Sequence, residues 1–92
     1  MRVAESEIET VRQIMTEIGK LALPGKRSFD SGLNASPEQR DQGFNLGFVV
    51  TFDDWEALAA YQAHPDHQRQ GQALLNALAN PDHDLLVMDW EF

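Results

Sequence analysis

Leu46, Phe48, Val50 and Phe52 recur at every second position, with Gly47, Val49 and Thr51 between them. Successive side chains of an extended chain point to opposite sides, so this run demands a sheet with one large apolar face and one small, β-branched face. The large face needs a covering layer. Upstream, Ile8, Val11, Ile14, Met15, Ile18 and Leu21 recur at intervals of three and four. That spacing marks one stripe of an α-helix and predicts a helix from Glu5 to about Leu21. Ser6 and Glu9 read as a capping box, Glu5 and Glu7 add negative charge near the helix start, and Pro24-Gly25 ends it.

The remaining elements follow from local punctuation. Lys26 to Asn34 carries Phe29 and Leu33 and reads as a strand with a bend at Gly32, and Asn34 to Gln42, interrupted by Pro37, reads as a loop. After the central strand, Asp53 is the expected N-cap of a helix through Trp55, Leu58, Ala59 and Tyr61. Pro65 breaks that helix, holds His64 extended, and opens a second helix running through Leu74, Leu75 and Leu78. Asn80-Pro81-Asp82 stops it. Leu85 to Phe92 is the expected final strand, with Leu86, Met88, Trp90 and Phe92 on one face. Helix, two strands, a helix pair and a strand make an α+β chain, with helices on one face of a mostly antiparallel sheet. A complete βαββαβ order needs a strand before the first helix, and Met1 to Ala4 is too short to provide it.

Size and charge narrow the function. Ninety-two residues make a single domain over 1–92, and a chain of this length buries only about 60–65% of its unfolded surface, so association with a second copy is a natural supplement. With no cysteine, a disulfide scaffold, a cysteine-ligated zinc and a thiol nucleophile are all excluded. The net charge of −8 disfavours nucleic acid and anionic lipid as partners. No apolar run reaches the ~18 residues of a membrane span, and no hydrophobic signal core follows Met1, so a soluble cytoplasmic protein is expected.

Four segments together carry a family pattern: Gly47 to Asp54, Ala57 to Tyr61, His64-Pro65-Asp66-His67, and Val87 to Phe92. They resemble the stress-responsive A/B barrel (Dabb) domain, in which a strand ending in Phe leads to a helix ending in Tyr, a His-Pro-x-His corner and a last strand with Asp before an aromatic. The resemblance runs from Ser6 to Phe92. It implies a ferredoxin-like α+β protomer, and homodimers in which two sheets face each other as a barrel with helices outside. Most members have no assigned reaction, and some close aromatic rings of polyketides without metal or organic cofactor. The family's usual first strand, which carries a His, is absent here. Two explanations stand: a start placed downstream of that strand, which is the favoured expectation, and a barrel that tolerates its loss through a rearranged C-terminal strand. Under either, no residue on it is carried over.

The resemblance places His67 at the general-base position of the cyclising members and Tyr61 at that of the hydrogen-bond donor. That pairing suits proton abstraction beside a carbonyl, which needs a base poised near neutral pH and a donor where negative charge develops. A structural corner is the competing role: His64 would serve the helix break while His67 packs. Tyr61, His64, His67 and Val49 are the candidate ligand-binding residues, for a small apolar or aromatic molecule. Two Pro-Asp-His tripeptides, at Pro65 and Pro81, raise the question of a metal on His64, His67, His83, Asp66 and Asp82. Spacing of i, i+3 across a proline suits turn and helix starts better than zinc ligation, so neither metal nor cofactor is expected. Asp53, Asp54 and Glu56 fall at a helix start and are explained by capping. Two functions remain: a homodimeric small-molecule-binding protein, or a cofactor-independent cyclase or isomerase using His67 and Tyr61. Trp90 and Phe92 are expected to dock at the dimer interface.

Overall fold

The computed structural model describes residues 1–92. A single 3₁₀ turn, Glu5–Glu7, leads into α1 (Ile8–Lys20), followed by β1 (Lys26–Leu33), β2 (Leu46–Phe52), α2 (Trp55–Ala63), α3 (Pro65–Asn76) and the one-turn α4 (Pro81–Asp84). β1 and β2 form an antiparallel pair in which Phe29 faces Val50 and Leu33 faces Leu46. The irregularity of the ladder lies between Lys26 and Ser28, not at Gly32, which pairs directly with Gly47.

The expected alternation of β2 is realised. Leu46 is buried, Phe48 and Phe29 stack at 5.5 Å between ring centroids, and both join a core built by Val11 and Met15 of α1 with Leu74 and Leu78 beyond. On the other face Val49 is 52% exposed. Only nine residues are buried, so the private core is as thin as the length implied. Gly19 makes close packing of α1 on β1 feasible: a Cβ there would stand 2.7 Å from the Phe29 ring. Lys26 fastens the end of α1, its Nζ donating to the carbonyls of Ile18, Gly19 and Leu21. These are the carbonyls a helix end leaves unpaired.

Three local expectations are corrected. The capping box does not form: the chain enters α1 through the 3₁₀ turn, where the Glu7 N–H donates to Ala4 O, and no side chain caps the helix. Asp54, not Asp53, caps α2, accepting from the Ala57 N–H at 2.8 Å. Asp53 is drawn away by Arg27, 3.1 Å distant. Pro81 opens a further helical turn rather than simply ending one, as Pro65 opens α3.

The largest correction concerns Leu85–Phe92. The sheet has two strands, and no backbone group of this tail has a main-chain partner. The reason lies at the amino terminus. Met1 and Leu46 exchange both backbone hydrogen bonds, and the Arg2 N–H donates to Asp84 O at 2.8 Å. Asn45 holds this segment further, accepting from the Val3 N–H and donating to Val3 O at 2.8 and 2.9 Å. Met1 and Arg2 therefore stand between the start of β2 and the start of the tail, keeping the two apart. Trp90 and Phe92 are correspondingly exposed in the protomer, at 59% and 99%.

Candidate functional site

The separation of β2 from the tail opens a trench of about 580 Å³. β2 forms one wall, Leu85 to Trp90 and Phe92 the other, and α2 and α3 the floor. Apolar groups dominate the lining, and Asp89 is the one carboxylate in it.

Tyr61 and His67 come together on this floor. Tyr61 sits on the last turns of α2, 96% buried against Phe52, whose ring centroid is 5.0 Å away. His67 lies in the first turn of α3. The break between the helices at His64-Pro65 folds α3 back so that the two rings meet at 4.0 Å. Both the Tyr61 hydroxyl and His67 Nδ1 are buried without a hydrogen-bond partner. Unpaired polar atoms in an apolar setting carry a desolvation cost that a suitably placed ligand group would offset.

Burial also sets their protonation. It pushes the Tyr61 phenol up, keeping it a donor at neutral pH. It pulls His67 down, with a smaller contribution from His64, so the imidazole is neutral at pH 7. A neutral imidazole beside a protonated phenol can accept a proton and stabilise a developing oxyanion.

The other candidates separate. Val49 lines the trench from the exposed face of β2. His64 does not line it: its Nδ1 accepts from the Asp66 N–H at 3.0 Å and caps α3. His83 is on α4, away from the corner, and no three His, Asp or Glu side chains gather as a metal set would. Sequence reasoning overlooked Gly71 and Leu75 as lining residues. Their signal was legible, since His67, Gly71 and Leu75 follow one another at i, i+4 on one helix stripe. It also missed the tail as a wall, because an extended apolar run reads as a paired strand.

An antiparallel pair covered by helices on one face, with a cleft at the helix corner, defines a ferredoxin-like α+β protein. The chain belongs to the Stress responsive A/B Barrel Domain family, whose model matches residues 2–92. A solved structure from Jannaschia sp. CCS1, described as a dimeric ferredoxin-like protein of unknown function, is similar at 36% identity and a TM-score of 0.88. The match covers 97% of this chain and 88% of that one. Among curated proteins, none matches this chain in sequence. No helix is long and apolar enough to cross a membrane.

Proposed function

We propose that this chain acts as a homodimer that binds a small apolar or aromatic molecule in the trench over Tyr61 and His67. The single observation that carries the reading is an apolar hollow lined by Tyr61 and His67, each of which holds a buried polar atom without a partner. Such a lining fits a ligand with an apolar body and one oxygen able to hydrogen-bond both groups. Dimerisation is supported by the thin core, the apolar tail and the dimeric relative. Native mass spectrometry of the purified protein tests both parts. The expected species is a dimer carrying apolar mass, lost in Tyr61→Phe. A ligand-free compact protomer at micromolar concentration would defeat the reading.

The 4.0 Å approach of Tyr61 to a neutral His67 favours a second reading, a cofactor-independent cyclase or isomerase. His67 removes a proton beside a substrate carbonyl and Tyr61 donates to the enolate oxygen as it forms. His67→Ala is then expected to lower kcat/KM on a linear polyketide carbonyl compound by about 10²–10⁴-fold while leaving the far-ultraviolet spectrum unchanged. Equal turnover by the variant excludes it.

A further inference from the structure

Away from the trench, α1 and α3 leave a second hollow along their seam. It measures about 420 Å³ and is lined from α1 by Gln13, Ile14 and Glu17, and from α3 by Arg69, Gln70 and Ala73. Its character is the reverse of the trench's, since Ile14 and Ala73 are the only apolar residues in the lining. The helix repeat places them: Gln13 and Glu17, like Arg69 and Ala73, are four apart and share a stripe. Gln70 ties the two helices together. Its Nε2 donates at 3.3 Å to the main-chain oxygen of Glu17, one of the last carbonyls of α1, which a helix end leaves unpaired. The donor of this carboxamide is thereby explained. The acceptor is not: Gln70 Oε1 is buried without a partner, at a desolvation cost. Charge is divided between the walls as well. Glu17 and Arg69 are exposed and meet only neighbours on their own helices, Lys20 at 3.2 Å and Asp66 at 2.9 Å. No ion pair joins α1 to α3. Exposed pairs of this i, i+3 kind contribute little, so each charge is free to exchange its partner.

We propose that the hollow between α1 and α3 binds a free α-amino acid with a short aliphatic side chain. The ammonium donates to Gln70 Oε1 and pairs with Glu17, the carboxylate accepts from Arg69, and the side chain rests on Ile14 and Ala73. The terminal torsion of a glutamine is broad, so a turn of the carboxamide presents Oε1 to this donor. An anion on one helix and a cation on the other select a zwitterion over a plain acid or a plain amine. Two small apolar contacts suit a branched aliphatic side chain better than an aromatic ring. Because the charges are exposed, binding is weak, as befits a molecule sensed at high concentration. The site stands apart from the trench, and neither reading depends on the other.

The probe is L-valine, titrated into the isotope-labelled protein and followed through backbone amide resonances. Saturable shifts are expected on residues 13–17 and 69–73, with β2 unmoved. Valinamide lacks the carboxylate and isovalerate lacks the ammonium. Each is expected to bind about fivefold more weakly than valine, the worth of one exposed charge pair. Arg69→Gln should erase the preference for valine over valinamide while keeping that over isovalerate. Gln70→Leu should weaken valine by about tenfold with an unchanged far-ultraviolet spectrum. If that variant folds poorly, the ligand series on the unaltered protein still decides. Equal binding of valine and isovalerate would reduce the hollow to a weak apolar surface and overturn the proposal. So would the absence of any saturable shift with valine, or a preference over valinamide that survives Arg69→Gln. None of these results bears on a ligand in the trench.

Discussion

Ile18 is 1% exposed and Val11 fully enclosed, in a core that has few other members. Truncating a buried isoleucine removes transfer free energy and leaves a cavity, so Ile18→Ala is expected to cost about 2–5 kcal/mol. That is a large share of the roughly 5–15 kcal/mol that holds a small domain together. Urea denaturation is the check, and a midpoint shifted little would mean the core reorganises around the gap. His67 gives a pH prediction of fixed sign. Its pKa is lower folded than unfolded, so below the unfolded value of about 6.5 the unfolded chain binds more protons. Stability should fall as pH drops from neutral through that value, and His67→Gln should flatten the slope. Thermal melts at pH 7.5 and 5.5 on both proteins measure it. The residue types at this corner were legible in the sequence, because His-Pro-x-His after a tyrosine is a recognisable string. Their environment was not. Which histidine caps and which stands over a hollow depends on the angle between α2 and α3, and that angle is set by packing rather than by spacing.

At the scale of the element, helix and strand bodies followed from periodicity, while their ends were decided by competition for partners. Asp53 and Asp54 are both competent caps, and only the position of Arg27 on the neighbouring strand sends one of them elsewhere. Asp54→Ala should therefore destabilise the fold by about 0.5–2 kcal/mol, whereas Asp53→Ala, which removes an exposed ion pair, should change it by less than about 1 kcal/mol. Paired denaturation curves separate the two roles, and similar losses would contradict them. The tail is the element that sequence described least well. Leu86, Met88, Trp90 and Phe92 alternate as a strand should, yet a strand is a property of two segments, and the neighbour here is held away by Met1 and Arg2. What fastens the tail near its end is a side chain, with Trp55 Nε1 donating to Glu91 at 2.6 Å. Trp55→Phe is expected to loosen Leu85–Phe92 alone, seen as faster exchange and broader resonances there with α2 unaffected.

For the molecule as a whole, the fold class and the family were accessible from order and motif, and the distribution of apolar surface was not. Of the large hydrophobic side chains left exposed, Leu86, Val87, Met88, Trp90 and Phe92 are all in the tail. Open sheet edges and bare apolar chain are templates for unwanted pairing, and like charge is one of the means that keeps such surfaces apart. The net charge of −8 is the counterweight here. Salt reduces the reach of that repulsion from ~10 Å at 0.1 M to ~3 Å at 1 M. Light scattering of the purified protein should therefore rise as sodium chloride is increased, and a Met88→Lys change in the tail should suppress the rise. A clear solution at every ionic strength would mean that the tail is already covered. The same two-sided gap between β2 and Leu85–Phe92 also makes concentration hazardous: copies can stitch together through their unsatisfied amides into disordered precipitate, so acidity is what buys time for the proper companion to arrive.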